Sequence, residues 1–187
     1  LVSAYEMTDG TAFDWSNAEM VKDPYANRDP RLGMTVVYNG MAWPKTTPVE
    51  VFEGGKNGQP IKNATTTGYY LRKYVDGNTD LTPNVNSTFR HAWIIMRLAE
   101  FYLNYAECIY HITGDADSKG NYGMSANEAI NVIRDSSDVM MPHFTGNPTD
   151  FLARYERERL IEFAFEDHRF WDVRRWKKGE TYFKKVE

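Results

Sequence analysis

The second half of the chain reads as helices. Between Trp93 and Thr113 the polar residues Arg97, Glu100, Asn104, Glu107 and His111 recur at spacings of 3, 4, 3 and 4. On an α-helix this spacing draws one narrow polar stripe, and nearly every other position is apolar. The pattern predicts a first helix from about Trp93 to Thr113, buried over most of its circumference and stopped at Gly114. Ser125 followed by Glu128 predicts a capping box that opens a second helix, with Ala129, Ile130 and Ile133 as its apolar face. Asn147-Pro148-Thr149 opens a third, running to about Glu166, and a fourth covers Arg169–Lys178 before Gly179. Two antiparallel helix pairs follow, joined by connections of roughly ten residues.

The first half has a different grammar. Residues 1–90 hold 8 of the 13 glycines and 6 of the 8 prolines, a density that forbids long helices. Met34–Asn39 reads as an apolar strand ended by Asn39-Gly40. Val49–Glu53, before Gly54-Gly55-Lys56-Asn57-Gly58, is a hairpin candidate, and Tyr69–Val75 is a further short strand. The expected architecture is therefore mainly α. A loop-rich segment with short strands occupies 1–90 and a helical segment 91–187.

Composition narrows the function. The chain has 187 residues and a net charge of −4, without the basic field a nucleic-acid binder needs. The single cysteine, Cys108, rules out an internal disulfide framework and a cysteine zinc cluster, and its place on an apolar helix face assigns it to the core. Apolar runs are broken by Arg97, Glu100 and Asn104, so no membrane-spanning helix is expected. The chain starts Leu1-Val2-Ser3, with no initiator Met and no leader, as expected of a processed chain or of a piece of something longer.

Glu158, Glu162 and Glu166 lie at i, i+4 and i+8 on one predicted helix face. Paired carboxylates can do acid–base work; a retaining glycosidase holds its pair ~5 Å apart. Like charges at this spacing destabilise a helix unless cations neutralise them, and Arg154, Arg159 and Arg169 sit three or four residues away. An ion-pair lattice is the expected outcome. No metal site is expected. The histidines His91, His111, His143 and His168 form no H-E-x-x-H pair, although Glu107 and His111 share a spacing of four. Asp76, Asn78 and Asp80 copy the opening of a calcium loop, but Leu81 and Ser87 stand where Gly and Glu are required. Nucleotide-binding and nucleophile-elbow motifs are absent, so no cofactor is expected.

Aromatics make up 14% of the chain. Trp15, Tyr38, Trp43, Phe52, Tyr69 and Tyr70 fall in the loop-rich half. Their flat faces suit the C–H faces of sugar rings. Trp43 follows Asn39-Gly40 and precedes Pro44, in a loop whose backbone needs solvent or partners. It ranks first as a ligand platform, with Asn39 and Tyr38 as neighbours. Loops, aromatics and the lack of a catalytic set favour a binding protein over an enzyme.

Met96-Arg97-Leu98-Ala99-Glu100-Phe101-Tyr102-Leu103-Asn104-Tyr105-Ala106-Glu107 resembles a recurrent helix of the SusD/RagB family of outer-membrane nutrient-binding lipoproteins. The segment from Glu158-Arg159-Leu160-Ile161-Glu162-Phe163-Ala164-Phe165-Glu166 through Asp167-His168-Arg169-Phe170-Trp171-Asp172 to Val173-Arg174-Arg175-Trp176 resembles another. Asn131 to Arg134, Tyr25 to Leu32, Asn39-Gly40 and Thr67 to Tyr74 follow the family order. In this family Asp167 replaces a usual Gly, which implies a third-to-fourth helix joint without positive-φ freedom.

Family members are much longer, so the resemblance makes this the C-terminal part of one SusD-like domain. A lipid anchor and most of the tetratricopeptide-like helices would lie in an N-terminal part. That part should cover apolar surface on the first helix, so the fragment alone is expected to associate. The resemblance implies a cell-surface protein of the outer membrane, anchored by lipid. It would capture oligosaccharide or polysaccharide, or in some members peptides, for a SusC-like TonB-dependent transporter, without catalysis. It also makes Glu158, Arg159, Glu162, Glu166, Arg169, Asp172 and Arg175 scaffold, a lattice of paired charges. The alternative from another class is a protein–protein interaction module; a glycosidase using Glu158 and Glu162 ranks third.

Overall fold

The computed structural model describes residues 1–44, 46–79, 85 and 92–183. It divides into two compact units. One comprises Leu1–Arg31 and Ile94–Glu187, the other Leu32–Trp93. Helix dominates: the described residues form α1 (Ala18–Lys22), α2 (Arg31–Thr35), α3 (Leu98–Thr113), α4 (Ala126–Arg134), α5 (Phe151–Glu162), α6 (His168–Arg175) and α7 (Gly179–Tyr182). The only sheet among them is β1 (Val36–Val37) paired antiparallel with β2 (Tyr70–Leu71), with Val36 opposite Leu71 and Val37 opposite Tyr70.

Local chemistry explains the helix ends. Gly114 takes φ 69°, and its N–H donates to the Tyr110 carbonyl at 2.8 Å, closing α3. The capping box at α4 is complete. Ser125 Oγ accepts from the Glu128 N–H at 3.1 Å, and Glu128 Oε2 accepts from the Ser125 N–H at 2.9 Å. The predicted face Ala129, Ile130 and Ile133 is buried. It packs with Leu103, Ala106 and Ile109 of α3 and with Phe144, Phe151 and Tyr155 in one hydrophobic core. Alanines at 106, 126 and 129 add little side-chain bulk to this contact. Asn131 clamps the connection after α4, donating from Nδ2 to the Phe144 carbonyl at 2.9 Å and accepting from the Phe144 N–H at 2.8 Å.

Several expectations are corrected. The first helix starts at Leu98, not Trp93, because Arg97 is extended (φ −144°, ψ 160°) and its guanidinium is drawn to Glu162 and Glu166. It is not buried on most of its circumference: Leu103, Ala106 and Ile109 face the core, while Leu98, Phe101 and Ile112 are exposed. Cys108 is exposed too, not core. The third helix begins at Phe151 because Asn147 is occupied elsewhere, its Oδ1 accepting from the Ala116 N–H at 3.1 Å. It ends at Glu162, so Glu166 lies beyond it. The joint to α6 does use positive φ, with Phe165 at 62° and Asp167 at 63°. Asp is among the residues that enter this region at modest cost, so position 167 takes positive φ without Gly. Met34–Asn39 is not one strand: Met34 and Thr35 close α2, and only Val36–Val37 pair. Val49–Glu53 forms no strand, and Tyr69–Val75 contributes only Tyr70–Leu71. No described helix is long and apolar enough to cross a membrane.

Candidate functional site

A cleft of about 480 Å³ opens in the unit Leu32–Trp93, walled by Val37, Trp43, Pro44, Val49, Tyr70, Leu71 and Val75. The short sheet supplies its floor residues: Val37 from β1, Tyr70 and Leu71 from β2. The loop carrying Trp43 is pinned at both ends. The Gly40 N–H donates to the Val49 carbonyl at 2.8 Å, and the Val49 N–H donates to the Met41 carbonyl at 2.9 Å. At its tip, the Thr46 N–H donates to the Trp43 carbonyl at 3.1 Å, as does the Thr47 hydroxyl. Trp43 is thus held half-buried, part wall and part solvent face.

Asn57 ties the opposite wall together. Its Oδ1 accepts from the Glu50 N–H and from the Thr46 hydroxyl, each at 3.1 Å. Its carbonyl accepts from the Tyr70 hydroxyl at 2.6 Å, and that hydroxyl also takes the Thr65 N–H at 3.1 Å. The turn that carries it needs glycine at the next position: a Cβ at Gly58 would sit 2.1 Å from the Phe52 carbonyl oxygen. What remains is an apolar slot with a tryptophan face and a small set of amide and hydroxyl groups, the usual make-up of a small-ligand site.

Of the predicted ligand residues, Trp43 lines this cleft and the other two do not. Asn39 is exposed and its Oδ1 accepts from the Val51 N–H at 3.2 Å, a loop-bracing role. Tyr38 is half-buried, with its hydroxyl near Gly33. Thr46, Asn57 and Tyr70 were missed as lining groups. Only Tyr70 carried a sequence signal, as a loop-half aromatic. Trp15 makes a local packing contact instead, edge-on to Phe13 with its Nε1 donating to Ser3 Oγ at 2.9 Å.

The charged side chains of α5 and its surroundings form ion pairs, with partners other than those expected. Glu158 is 2% exposed and receives Arg31 on Oε1 and Arg134 on Oε2, both at 2.7 Å. Arg31 Nη1 also meets Glu162 Oε2 at 2.8 Å, and its other nitrogens bind Asp29. Arg134 continues to Glu6 at 3.0 Å, and Glu6 to Arg157 at 2.6 Å. Arg97 joins Glu162 at 2.6 Å to Glu166 at 2.8 Å. Burial opposes the charge on Glu158, yet Arg31 and Arg134 outweigh it and hold its carboxyl below the usual range. A general acid needs the reverse shift from that of Glu158, and both Glu158 and Glu162 are occupied by arginines.

Arg159, one residue further round α5, enters a second network. Its Nε meets Asp172 at 2.8 Å, Asp172 meets Arg175 at 2.9 Å, and Arg175 meets Glu107. Glu107 also accepts from the Tyr155 hydroxyl and Trp176 Nε1, each at 2.8 Å. Two expected neutralising arginines are elsewhere: Arg154 stacks over Phe144 at 4.3 Å and Arg169 over Tyr182 at 4.1 Å. This second network walls a groove of about 860 Å³ between α3 and α6, where Cys108, Ile112 and Trp171 are exposed. With Glu107 so occupied, it is not free to share a metal with His111. Among the described residues, no three His, Cys, Asp or Glu side chains are placed to hold a metal ion. The calcium-like motif lies partly outside the described residues, at Asp80, Leu81 and Ser87, as does His91. Its described part is a turn, in which Asp76 accepts from the Asn78 N–H at 3.1 Å and the Thr79 hydroxyl at 2.8 Å.

Comparison with known proteins returns one family. The SusD family profile matches residues 1–187. A SusD-like protein from Bacteroides fragilis is similar over 95% of this chain, with a TM-score of 0.73 and 31% identity. A SusD-like carbohydrate-binding protein from the same species covers 94% at a TM-score of 0.72 and 30% identity. A SusD superfamily protein from Bacteroides vulgatus shares the fold, with a TM-score of 0.55 and 22% identity over 81% of the chain. The chain spans 35%, 34% and 30% of these three structures. No curated protein matches it.

Proposed function

Because the chain belongs to the SusD family, we propose that it is a non-catalytic glycan-binding protein of the cell surface. It captures oligosaccharide in the Trp43 cleft and delivers it to a SusC-like TonB-dependent channel in the outer membrane. In this reading a lipid anchor outside these residues holds it there. The observation that carries the reading is the half-buried Trp43 face in an apolar slot of about 480 Å³, the size range of small-ligand sites. The relative described as carbohydrate-binding supports it. Glu158 and Glu162 are committed to arginines, which favours binding without turnover.

Titration calorimetry against a panel of plant, host and bacterial oligosaccharides tests this. At least one is expected to bind without being cleaved, and Trp43→Ala is expected to weaken that binding. Cleavage of any glycan by the purified chain sinks the non-catalytic reading. Binding unaffected by Trp43→Ala moves the site out of this cleft.

A second reading has its own observation. Leu98, Phe101, Cys108 and Ile112, at spacings of 3, 7 and 4 on α3, are all exposed, and Cys108 and Ile112 share a groove with exposed Trp171. Such a stripe suits a partner helix and supports an interaction module that operates alongside ligand capture.

A further inference from the structure

The side-chain groups left open around Trp43 are mostly donors, the exception being the Thr46 hydroxyl, which donates to Asn57 Oδ1 and keeps an acceptor. Trp43 Nε1 has no hydrogen-bond partner among the described residues, and the indole can only donate. Asn57 spends its Oδ1 on Glu50 and Thr46, which fixes the amide's orientation and leaves the Nδ2 donors open. Tyr70's hydroxyl both donates and accepts within the protein. Beside the ring, the Arg72 guanidinium carbon stands 5.9 Å from the Trp43 centroid. Arg72 donates from Nη1 to the Gly33 carbonyl, which orients the group, while Nε and Nη2 bond no described residue.

A neutral sugar presents hydroxyls that must donate as well as accept, so its sites supply acceptors. Among the described residues, no carboxylate lines the cleft. Nearby acidic groups are engaged: Glu50 lies 3.7 Å from Lys56, and Asp76 holds its own turn. Charge points the same way. Residues 32–93 carry six basic and four acidic side chains, in a chain whose net charge is −4.

Building on the glycan-binding reading, we propose that this cleft takes an acidic sugar residue. The ring stacks on Trp43, and its oxyanion, a ring carboxylate or a sulfate ester, pairs with the open edge of Arg72. Guanidinium nitrogens match an oxyanion in geometry and charge, and Asn57 Nδ2 supplies a further donor.

Calorimetry with paired probes tests the proposal: oligogalacturonate against its carboxyl-reduced form, and chondroitin sulfate oligosaccharides against their desulfated and carboxyl-reduced forms. The charged member of a pair is expected to bind about tenfold tighter or more, the range for a hydrogen bond to a charged group. That preference should shrink as salt rises from about 0.05 to about 0.3 M. Arg72→Gln should abolish the preference, whereas Trp43→Ala should weaken both members of a pair. A preference lost on carboxyl reduction assigns the anion to the carboxylate; one lost on desulfation assigns it to sulfate. Equal binding of charged and neutral members, weakened by Trp43→Ala, overturns the acidic-sugar proposal and leaves glycan capture standing. No binding of any member overturns both. Circular dichroism checks that Arg72→Gln is folded; if it is not, the ligand pairs and the salt series decide alone.

Discussion

The helical unit and the loop unit treat polar groups in opposite ways. In the unit of Leu1–Arg31 and Ile94–Glu187, arginines and carboxylates are buried and satisfy one another: Glu6, Asp29, Arg31, Arg134, Glu158 and Arg159 are each 5% exposed or less. In Leu32–Trp93, the side chains around Trp43 keep open donors at a solvent-facing cleft. A charge closed into a network is unavailable to a ligand, and removing one partner strands the others. A donor at a cleft rim contributes little to folding and can be satisfied by a ligand or by water. The richer cluster of charged residues is therefore committed to ion pairs within the protein, and the sparser loop is the proposed site.

The largest expected effect breaks the scaffold. Glu158→Gln leaves Arg31 and Arg134 short of a counter-charge in a dry setting and should cost about 3–5 kcal/mol. Urea denaturation measures it; a loss below about 1 kcal/mol would mean that solvent reaches the network.

Acid should dismantle the same region next. Glu158 and Glu107 both titrate below their ordinary range: burial opposes each charge, but Arg31 and Arg134 prevail at Glu158, and Arg175, Tyr155 and Trp176 at Glu107. A carboxyl depressed in the folded state stabilises the fold above its unfolded value, about 4.3, and loses that contribution as pH falls through the folded value. The melting temperature should hold near neutrality and drop below about pH 4. Glu107→Gln should flatten part of that drop; an unchanged slope would remove Glu107 from the linkage.

Trp43→Ala sharpens the contrast from the other side. It should weaken glycan binding by about 1–3 kcal/mol, the range for aromatic stacking on flat ligands. Its stability cost should be clearly smaller than that of Glu158→Gln. A loss as large as the scaffold variant's would make Trp43 a packing residue.

The smallest effect concerns the turn before α6. Asp167 holds φ 63° without a side-chain hydrogen bond to the helix it precedes. Asp167→Gly should relieve that conformation and stabilise by a few tenths of a kcal/mol, up to about 1. A destabilisation would show that the backbone entropy of Gly outweighs the relief.

The sequence by itself determined what local physics controls. Helical spacing and the Gly114 stop located the body and end of α3, and the Ser125–Glu128 box located the start of α4, because periodicity and capping act within one turn. The family order of short motifs identified the SusD family. That Glu158, Glu162 and Glu166 need cations nearby was legible, since their mutual repulsion demands it. Only the tertiary structure decided which cations. Arg31 reaches Glu158 from 127 positions away, and Glu6 meets Arg134 across 128. No spacing rule carries such pairings. Neighbours on one helix were also divided, Glu158 to one network and Arg159 to another, because consecutive residues point about 100° apart. The cleft followed the same division. Trp43 was visible as a loop aromatic. Asn57, Thr46 and Arg72 became its surroundings through loop closure and the pairing of β1 with β2, which depend on contacts between distant segments of the chain.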